Sequence, residues 1–385
     1  MAAMRTNRQS LNPALMHYKI CSTLDSSPEV GSIGRAIEIG ADLFKPSVVP
    51  LLVAAPQMRR YQVFGNLFAS AGDDVYRLDH HPVMSRHPIT PMNEAEVGKH
   101  VARQSDRLDV DCVSLETLTL RPNTYTSKPQ ENNSRISLLT LDCVDAASES
   151  AVGNLIWNER HENQYVVGSQ GVEFALVRHW QEAGLIPVIE PPKSIGMAQR
   201  MVVVSGSVSP TTAEQITWSK ANGFASIEFN AASACTGNEV LEREINRVIE
   251  IALSAISSNQ DPLIHTAEGP DDPAVEAFKI AVSKSEHNMF SANQMIGEAL
   301  GHILHEVLIR SGARRTVVSG GDTSGHATRQ LGIFALTALA PTIPGASIFK
   351  AHVDGPMDGL ELALKGGQMG TYDYFGWVRS GGGLR

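Results

Sequence analysis

The chain has 385 residues, 42% of them hydrophobic and 19% charged, which is globular composition in a chain long enough for two domains. Its formal net charge of -9 argues against nucleic acid or an anionic membrane as the main partner, while leaving room for a local basic pocket around an anionic substrate. No apolar run is long enough to span a bilayer, no apolar h-region follows Arg5 and Arg8, and Cys21, Cys112, Cys143 and Cys235 lack CxxC or zinc spacing, so a reduced, cytoplasmic protein is expected.

Residues 1–15 read as a loose arm and 17–21 as a strand. The strand runs into a hydroxyl-rich stretch where Lys19, Ser22, Thr23 and Asp25 could line a polar site, because open α/β sheets bind ligands at strand carboxyl ends. The plainer alternative is a capped turn, with Asp25 or Ser27 opening a helix over 28–43. A strand is expected over 48–55 and a short strand and turn over 61–68. Residues 79–92 carry Pro82, Pro88 and Pro91, which exclude a helix interior or a central strand. On this loop, His80, His81, His87, Arg86 and Thr90 could bind a carboxylate or hydroxyls. A zinc site of Asp79, His80, His81 and His87 is the weaker reading, since adjacent histidines rarely converge on one metal. A helix follows over 94–104, α/β connections over 110–120 and 135–143, and a surface loop over 122–135. Residues 165–171 are a strand closed by glycines, and the helix over 172–183 is expected to bury Phe174, Leu176, Val177 and Trp180.

Three prolines over 187–200 mark a linker, dividing a domain over 1–186 from one over 200–378. The strand 201–204 meets a small-residue turn, and Ser209 with Pro210 reads as N-cap and first residue of a helix to 222. A strand over 224–229, a Thr236–Glu239 capping box opening a helix to 257, and a strand over 262–266 come next. The helix over 291–311 ends at Gly312, with His302 and His305 read as solvated surface residues. A strand over 315–318, a helix over 327–340, a strand over 346–352 and a loose tail over 380–385 complete the chain.

Between the last strand and helix pair lies Ser319-Gly320-Gly321-Asp322-Thr323-Ser324-Gly325. Its glycines permit φ > 0 and close approach of a ligand, and the following helix start offers unpaired N–H groups to an anion. Asp322 suits a magnesium ion or a hydroxyl proton, and Thr323 suits a phosphate oxygen; a tight turn capped by Asp322 or Thr323 is the alternative. Lys365 beside Gly366 and Gly367 suits a nucleotide's phosphates or ribose, or is an exposed lysine at a glycine turn. Right-handed crossovers would bring such turns to one edge of a parallel sheet and make one nucleotide-sized pocket. Neither GxxxxGK[ST] nor a GxGxxG with its acidic partner is present, which disfavours a P-loop enzyme and a nicotinamide-linked dehydrogenase.

Val203-Val204-Ser205-Gly206-Ser207, Ser319 to Gly325, and Ala363-Leu364-Lys365-Gly366-Gly367-Gln368-Met369-Gly370 resemble the nucleotide-binding half of the four-carbon acid sugar kinase family. Cys21 to Pro28 and His87-Pro88-Ile89-Thr90-Pro91-Met92 resemble its substrate-binding half, and the resemblance runs over nearly the whole chain. It implies a two-domain α/β protein, each domain a mostly parallel sheet with flanking helices. It also implies an ATP-dependent, magnesium-assisted kinase acting on tetronates, 3-oxo-tetronates or 3-oxo-isoapionate. The family's opening Asp-Asp-(Phe/Leu)-Thr-Gly motif is not found here, so the substrate-binding half is expected to be N-terminally incomplete.

On this resemblance Ser205, Ser207, Gly320, Gly321, Asp322, Thr323, Gly366, Gly367 and Gln368 frame the nucleotide. Asp322 is the candidate magnesium ligand or catalytic base, and Lys19, Ser22, Asp25, Arg86 and His87 face the sugar acid. The expected partners are ATP and a small sugar acid, with no nucleic acid or membrane, and a homodimer is left open. The alternative is a catalytically impaired homologue that binds nucleotide and sugar acid.

Overall fold

The computed structural model describes residues 13–87, 89–120, 135–162 and 164–385, apart from the side chains of Thr119, Leu120 and Asp322. Residues 1–12 of the arm expected over 1–15 and most of the loop over 122–135 lie outside the described residues. Internal contacts divide the chain into two units, Met1–Ile189 and Glu190–Arg385.

The strands of the first unit are β1 (Met16–Lys19), β2 (Val49–Leu52), β3 (Arg60–Val63), β4 (Asn66–Ala71), β5 (Asp74–Arg77), β6 (Leu108–Val113), β7 (Ile136–Leu141) and β8 (Tyr165–Gly168). Five of them form a parallel sheet in the spatial order β1-β8-β2-β7-β6, and β3, β4 and β5 form a small antiparallel sheet inserted between β2 and β6. The central strands β2 and β8 are buried at every position because helices cover both faces, whereas edge strand β6 exposes Asp109, Val110 and Asp111. The helices are α1 (Ile33–Phe44), α2 (Val97–Ala102), α3 (Leu115–Leu120), α4 (Ala146–Asn158) and α5 (Gly171–Glu182). Residues of α1 and α2 pack in one core, and those of α3, α4 and α5 in the other.

Two expectations for this unit are corrected. Helix α1 begins at Ile33 because Ser32 Oγ accepts from Arg35 N; the chain before it is a turn in which Ser27 Oγ accepts from the N–H groups of Glu29 and Val30. The buried face of α5 is Val172, Ala175, Leu176 and His179, and Val177 is exposed. Its rotation is set by Gly171, where a Cβ would lie 1.8 Å from Ala54 O.

The second unit contains β9 (Met201–Ser205), β10 (Phe224–Glu228), β11 (Asp261–His265), β12 (Arg315–Ser319), β13 (Ala335–Pro341), β14 (Ser347–His352) and β15 (Glu361–Lys365). They form one sheet in the order β10-β11-β9-β12-β15-β14-β13, parallel through β15 and antiparallel beyond it. Helices α6 (Pro210–Lys220), α7 (Asn238–Ser257), α8 (Pro273–Ser283), α9 (Met289–Ser311), α10 (Gly321–Gln330) and α11 (Tyr374–Arg379) flank it. One core holds Val202, Val204 and Val318 with apolar residues of α7, α9 and α10. The other holds Met201, Val203 and Val317 with Ile216 of α6 and Tyr374, Phe375 and Trp377 of α11. This is the strand alternation of a sheet covered on both sides.

The Ser209 cap and Pro210 start of α6 form as expected, and Gly312 at φ 71 ends α9. Three expectations are corrected. Helix α7 is preceded by Gly237 without a side-chain cap, because Thr236 Oγ1 donates to Ser233 O instead. The helix expected over 327–340 spans Gly321–Gln330; Gly332 at φ 66 turns the chain, and Ala335–Pro341 pairs with β14. The tail is pinned, with Gly383 N on Pro341 O at 2.8 Å and Arg385 2.8 Å from the Asp373 carboxylate. Among the described residues no helix is long and apolar enough to cross a membrane.

Candidate active site

Four parallel strands of the second unit end in register. His265 pairs with Ser205, Ser205 with Ser319, and Ser319 with Lys365. The turns after Ser205, Ser319 and Lys365 therefore stand side by side at the carboxyl edge of the sheet, where α/β folds bind ligands. The ladder continues past the strands: Gly206 N donates to Ser319 O at 3.1 Å, and Gly320 N to Lys365 O at 3.0 Å.

Glycine lets the turns interlock. A Cβ on Gly206 would lie 2.2 Å from Thr323 Oγ1, and one on Gly367 would lie 2.1 Å from Ser207 Oγ. Gly320, at φ 121, occupies a backbone region that side chains avoid. It precedes α10 with no side-chain cap, so the N–H groups of that helix's first turn are available to an anion. The turn after β15 is held by α6. Gly367 O accepts from Ser209 Oγ at 2.6 Å and Thr212 Oγ1 at 2.9 Å, and Gln215 Nε2 donates to Met369 O and Thr371 O, each at 3.0 Å. Ser207 Oγ accepts from Thr212 Oγ1 at 3.1 Å, which ties the turn after β9 to the same helix.

The sheet floor beneath these turns is polar and dry. Strand alternation puts His265, Ser205, Ser319 and Lys365 on the α6 and α11 face, and each is at most 3% exposed. Burial holds His265 below the usual imidazole value and pulls the Lys365 ammonium down to about 7. Among the described residues, Ser319 Oγ and His265 Nδ1 are buried without a hydrogen-bond partner.

The structure thus brings Ser205, Ser207, Gly320, Gly321, Thr323, Gly366 and Gly367 to one edge, with Gln368 exposed in the last turn. The backbone of Asp322 is the second residue of α10, and its side chain lies outside the described residues. Sequence reasoning missed Thr212 and Gln215. Their signal was the three-residue spacing of polar residues from the N-cap Ser209 to Thr212 and Gln215 of α6, which points a polar stripe at the turn.

In the first unit, Thr90 Oγ1 donates to Asp25 Oδ1 and lies 2.9 Å from His87 Nδ1, with His87 Nδ1 and Asp25 Oδ1 3.8 Å apart. Thr90 N donates to His87 Nδ1 at 3.1 Å, so Nδ1 is the acceptor nitrogen and Nε2 carries the hydrogen of the neutral ring. Asp25 and His87 are therefore joined through Thr90. Lys19 is exposed with its ammonium on Ile20 O, Arg86 is exposed, and Ser22 is buried. No described contact draws these three onto Asp25. The loop around Asp25 is fixed by Ser26, whose Oγ donates to Leu24 O and sits 3.1 Å from His100 Nε2. The histidines do not form a zinc site. His81 is bonded to the backbone of Ser70, Val83 and Met84, His80 is exposed beside Asp79, and among the described residues no three metal-binding side chains converge. A further acid, Asp142, just past the end of β7, is fully buried and accepts from the N–H groups of Phe64, Gly65 and Leu115.

Comparison with known proteins agrees with both halves. A sugar-binding N-terminal domain matches residues 1–176, and a nucleotide-binding C-terminal domain matches residues 202–375. The 3-oxo-isoapionate kinase of Paraburkholderia graminis is 39% identical over 97% of this chain and 79% of that protein. The chain belongs to the four-carbon acid sugar kinase family. Other relatives within this family are 3-oxo-tetronate kinases of Cupriavidus necator, 28% identical over 93% of this chain and 77% of that protein, and of Pseudomonas savastanoi, 26% identical over 93% and 77%. A solved protein of Salmonella typhimurium shares the fold of this four-carbon acid sugar kinase family member at TM-score 0.74, with 23% identity over 98% of this chain and 83% of that one. One from Haemophilus influenzae does so at TM-score 0.64, with 21% identity over 97% and 83%.

Proposed function

We propose that this chain is an ATP-dependent kinase that phosphorylates a hydroxyl of a small sugar acid, with 3-oxo-isoapionate as the first candidate and 3-oxo-tetronates as the second. The observation that carries this reading is the 39% identity to a 3-oxo-isoapionate kinase, against 28% and 26% for 3-oxo-tetronate kinases.

Phosphoryl transfer asks a protein mainly for positioning and charge neutralisation. In this reading the second unit holds ATP. The N–H groups at Gly320, Gly321 and the first turn of α10 meet phosphate oxygens, Thr323 supports them, and Ser205, Ser207, Gly366, Gly367 and Gln368 frame the nucleotide. The first unit holds the sugar acid. Asp25 accepts from a substrate hydroxyl, His87 donates from Nε2, and Lys19 and Arg86 meet the carboxylate. Ser22 belongs to the same loop.

Asp322 is the residue we assign to magnesium. A magnesium ion on a nucleotide keeps phosphate and water oxygens and needs only one or two protein carboxylates, so a single aspartate in this turn would suffice. Held there, the ion would supply charge neutralisation for the nucleotide's phosphates. We place the reaction in the cytoplasm, which supplies ATP and suits the free thiols of Cys112 and Cys143, held by burial up to about 11 and about 12.

The test is ADP release from MgATP with a panel of 3-oxo-isoapionate, 3-oxo-tetronates and tetronates. Turnover fastest with 3-oxo-isoapionate supports the reading. Nucleotide binding without ADP release from any acid would reduce the protein to a binding homologue.

A further inference from the structure

Lys365 is a cation in an unusual place. It ends β15, is 3% exposed, and lies 6.0 Å and 5.9 Å from the ring centroids of Tyr374 and Phe375. A buried charge is normally paired with an opposite one. Here, among the described residues, no carboxylate pairs with the ammonium. Its partners are two carbonyls, Gly366 O at 3.1 Å and Gly367 O at 3.3 Å.

Those contacts are replaceable. Gly367 O already accepts the two shorter bonds from Ser209 and Thr212, so the turn keeps its shape when the lysine leaves. In register with Lys365, on the same face, Ser319 Oγ is buried with no partner among the described residues. The uncapped first turn of α10 begins two residues after that serine. An ammonium without a counter-charge, a hydroxyl without a partner and a helix N-terminus thus stand at the edge where three glycine turns meet. Together they fit a compact, multiply charged oxyanion.

We infer that Lys365 is the counter-charge for a phosphate group of the bound nucleotide, and that its amine takes a proton from the buffer as the nucleotide binds, leaving the Gly366 and Gly367 carbonyls for phosphate oxygen. This rests on the nucleotide-binding reading of the same edge and deepens it.

The free-state amine titrates at about 7 through burial alone. Above that value it is largely neutral, and a neighbouring phosphate restores the ammonium. The groups packed around it leave it as the titrating partner. On α6, the residues bonded to the turn that follows Lys365 are Ser209, Thr212 and Gln215, which are uncharged. From α11 it meets Tyr374, held up at about 12, while Asp373 at that helix's start is engaged by Arg385 and Thr371. Neighbouring β12 contributes Ser319, Ser205 lies one strand further on β9 and His265 two strands further on β11, and α10 brings Thr323 to the same edge. The Asp322 side chain of that helix lies outside the described residues.

The experiment is calorimetric titration of the full chain with ADP, in pairs of buffers that differ in ionisation enthalpy, at pH about 8 and about 6. ADP is fully ionised at the higher pH, so a proton taken up there belongs to the protein. The wild type is expected to take up close to one proton per ADP at the higher pH and little at the lower. Lys365→Arg, permanently charged, is expected to bind ADP with no uptake. Lys365→Met is expected to lose at least tenfold in affinity and the uptake with it, its folding checked by thermal melting. ADP binding by the wild type with no proton uptake overturns the inference and leaves the nucleotide site standing, as does uptake unchanged in Lys365→Arg. No ADP binding by the wild type at millimolar concentration overturns the nucleotide reading itself.

Discussion

Gly367 sits against Ser207 so closely that a Cβ on the glycine would lie 2.1 Å from the serine Oγ. The two residues belong to turns at the ends of β15 and β9, separated in the sheet by β12. Gly367→Ala should push these turns apart, since overpacking typically costs about 1–3 kcal/mol. Nucleotide affinity is expected to fall by roughly ten- to hundredfold, with the melting temperature falling only a few degrees. Adding Ser207→Gly should recover part of the affinity. Calorimetry with ADP on the single and double variants reads this directly, and additive losses would show that the two residues do not interlock.

Asp322→Asn keeps the size of the side chain and removes its charge. If Asp322 holds magnesium, kcat should fall by about two orders of magnitude or more while the fold is retained, because the lost interaction matters most as charge moves in the transition state. ADP release over a series of magnesium concentrations checks it. An unchanged rate removes Asp322 from the mechanism.

Thr90 joins Asp25 to His87. Thr90→Val keeps the shape and deletes the hydroxyl, leaving the carboxylate and the ring to find new partners. KM for the sugar acid should rise about tenfold, with the affinity for nucleotide unchanged, as expected for loss of a hydrogen bond to a charged group worth about 1.5–3 kcal/mol. Thr90→Ser should restore most of it. Steady-state kinetics varying each substrate in turn separates the two sites.

Asp142 serves the fold rather than the chemistry. It is 0% exposed and gathers the N–H groups of Phe64, Gly65 and Leu115 together with Gln62 Nε2 at 3.3 Å. Asp142→Ala leaves those donors buried and unsatisfied, at a cost of about 3–5 kcal/mol. Thermal melting followed by circular dichroism should show a drop of roughly ten degrees or more in the first unit's transition.

His100 and His265 are buried, and desolvation holds both below the ordinary value of 6.5. Just below that value the unfolded chain therefore binds more protons than the folded one, so stability falls as pH falls. The decline should begin near pH 6.5 and continue until the depressed folded-state values are passed. Denaturant melts between about pH 5 and pH 8 check the slope, and His100→Gln with His265→Gln should flatten it.

Much of the fold was legible locally. Short β-branched runs such as Met201-Val202-Val203-Val204 read as strands, Ser209-Pro210 as a helix start and Gly312 as a helix stop, because each depends on a few neighbouring residues. The glycine turns were legible for the same reason, and so was their placement on one edge, since right-handed crossovers leave a parallel sheet little choice. Where local rules competed, they failed. Residues 335–341 carry helix-forming alanines and leucine yet form a strand, because an antiparallel partner, β14, was available to them.

Composition, strand–turn–helix order and the residue types at the turns were settled within the sequence itself. The tertiary structure alone decided which distant groups meet: Thr90 with Asp25 across 65 residues, Thr212 and Gln215 with the turn more than 150 residues on, and Lys365 buried with no carboxylate partner among the described residues. The reason is physical. A side chain's burial, partners and proton affinity depend on which strands become neighbours and which helix covers them, and local propensity carries no record of either.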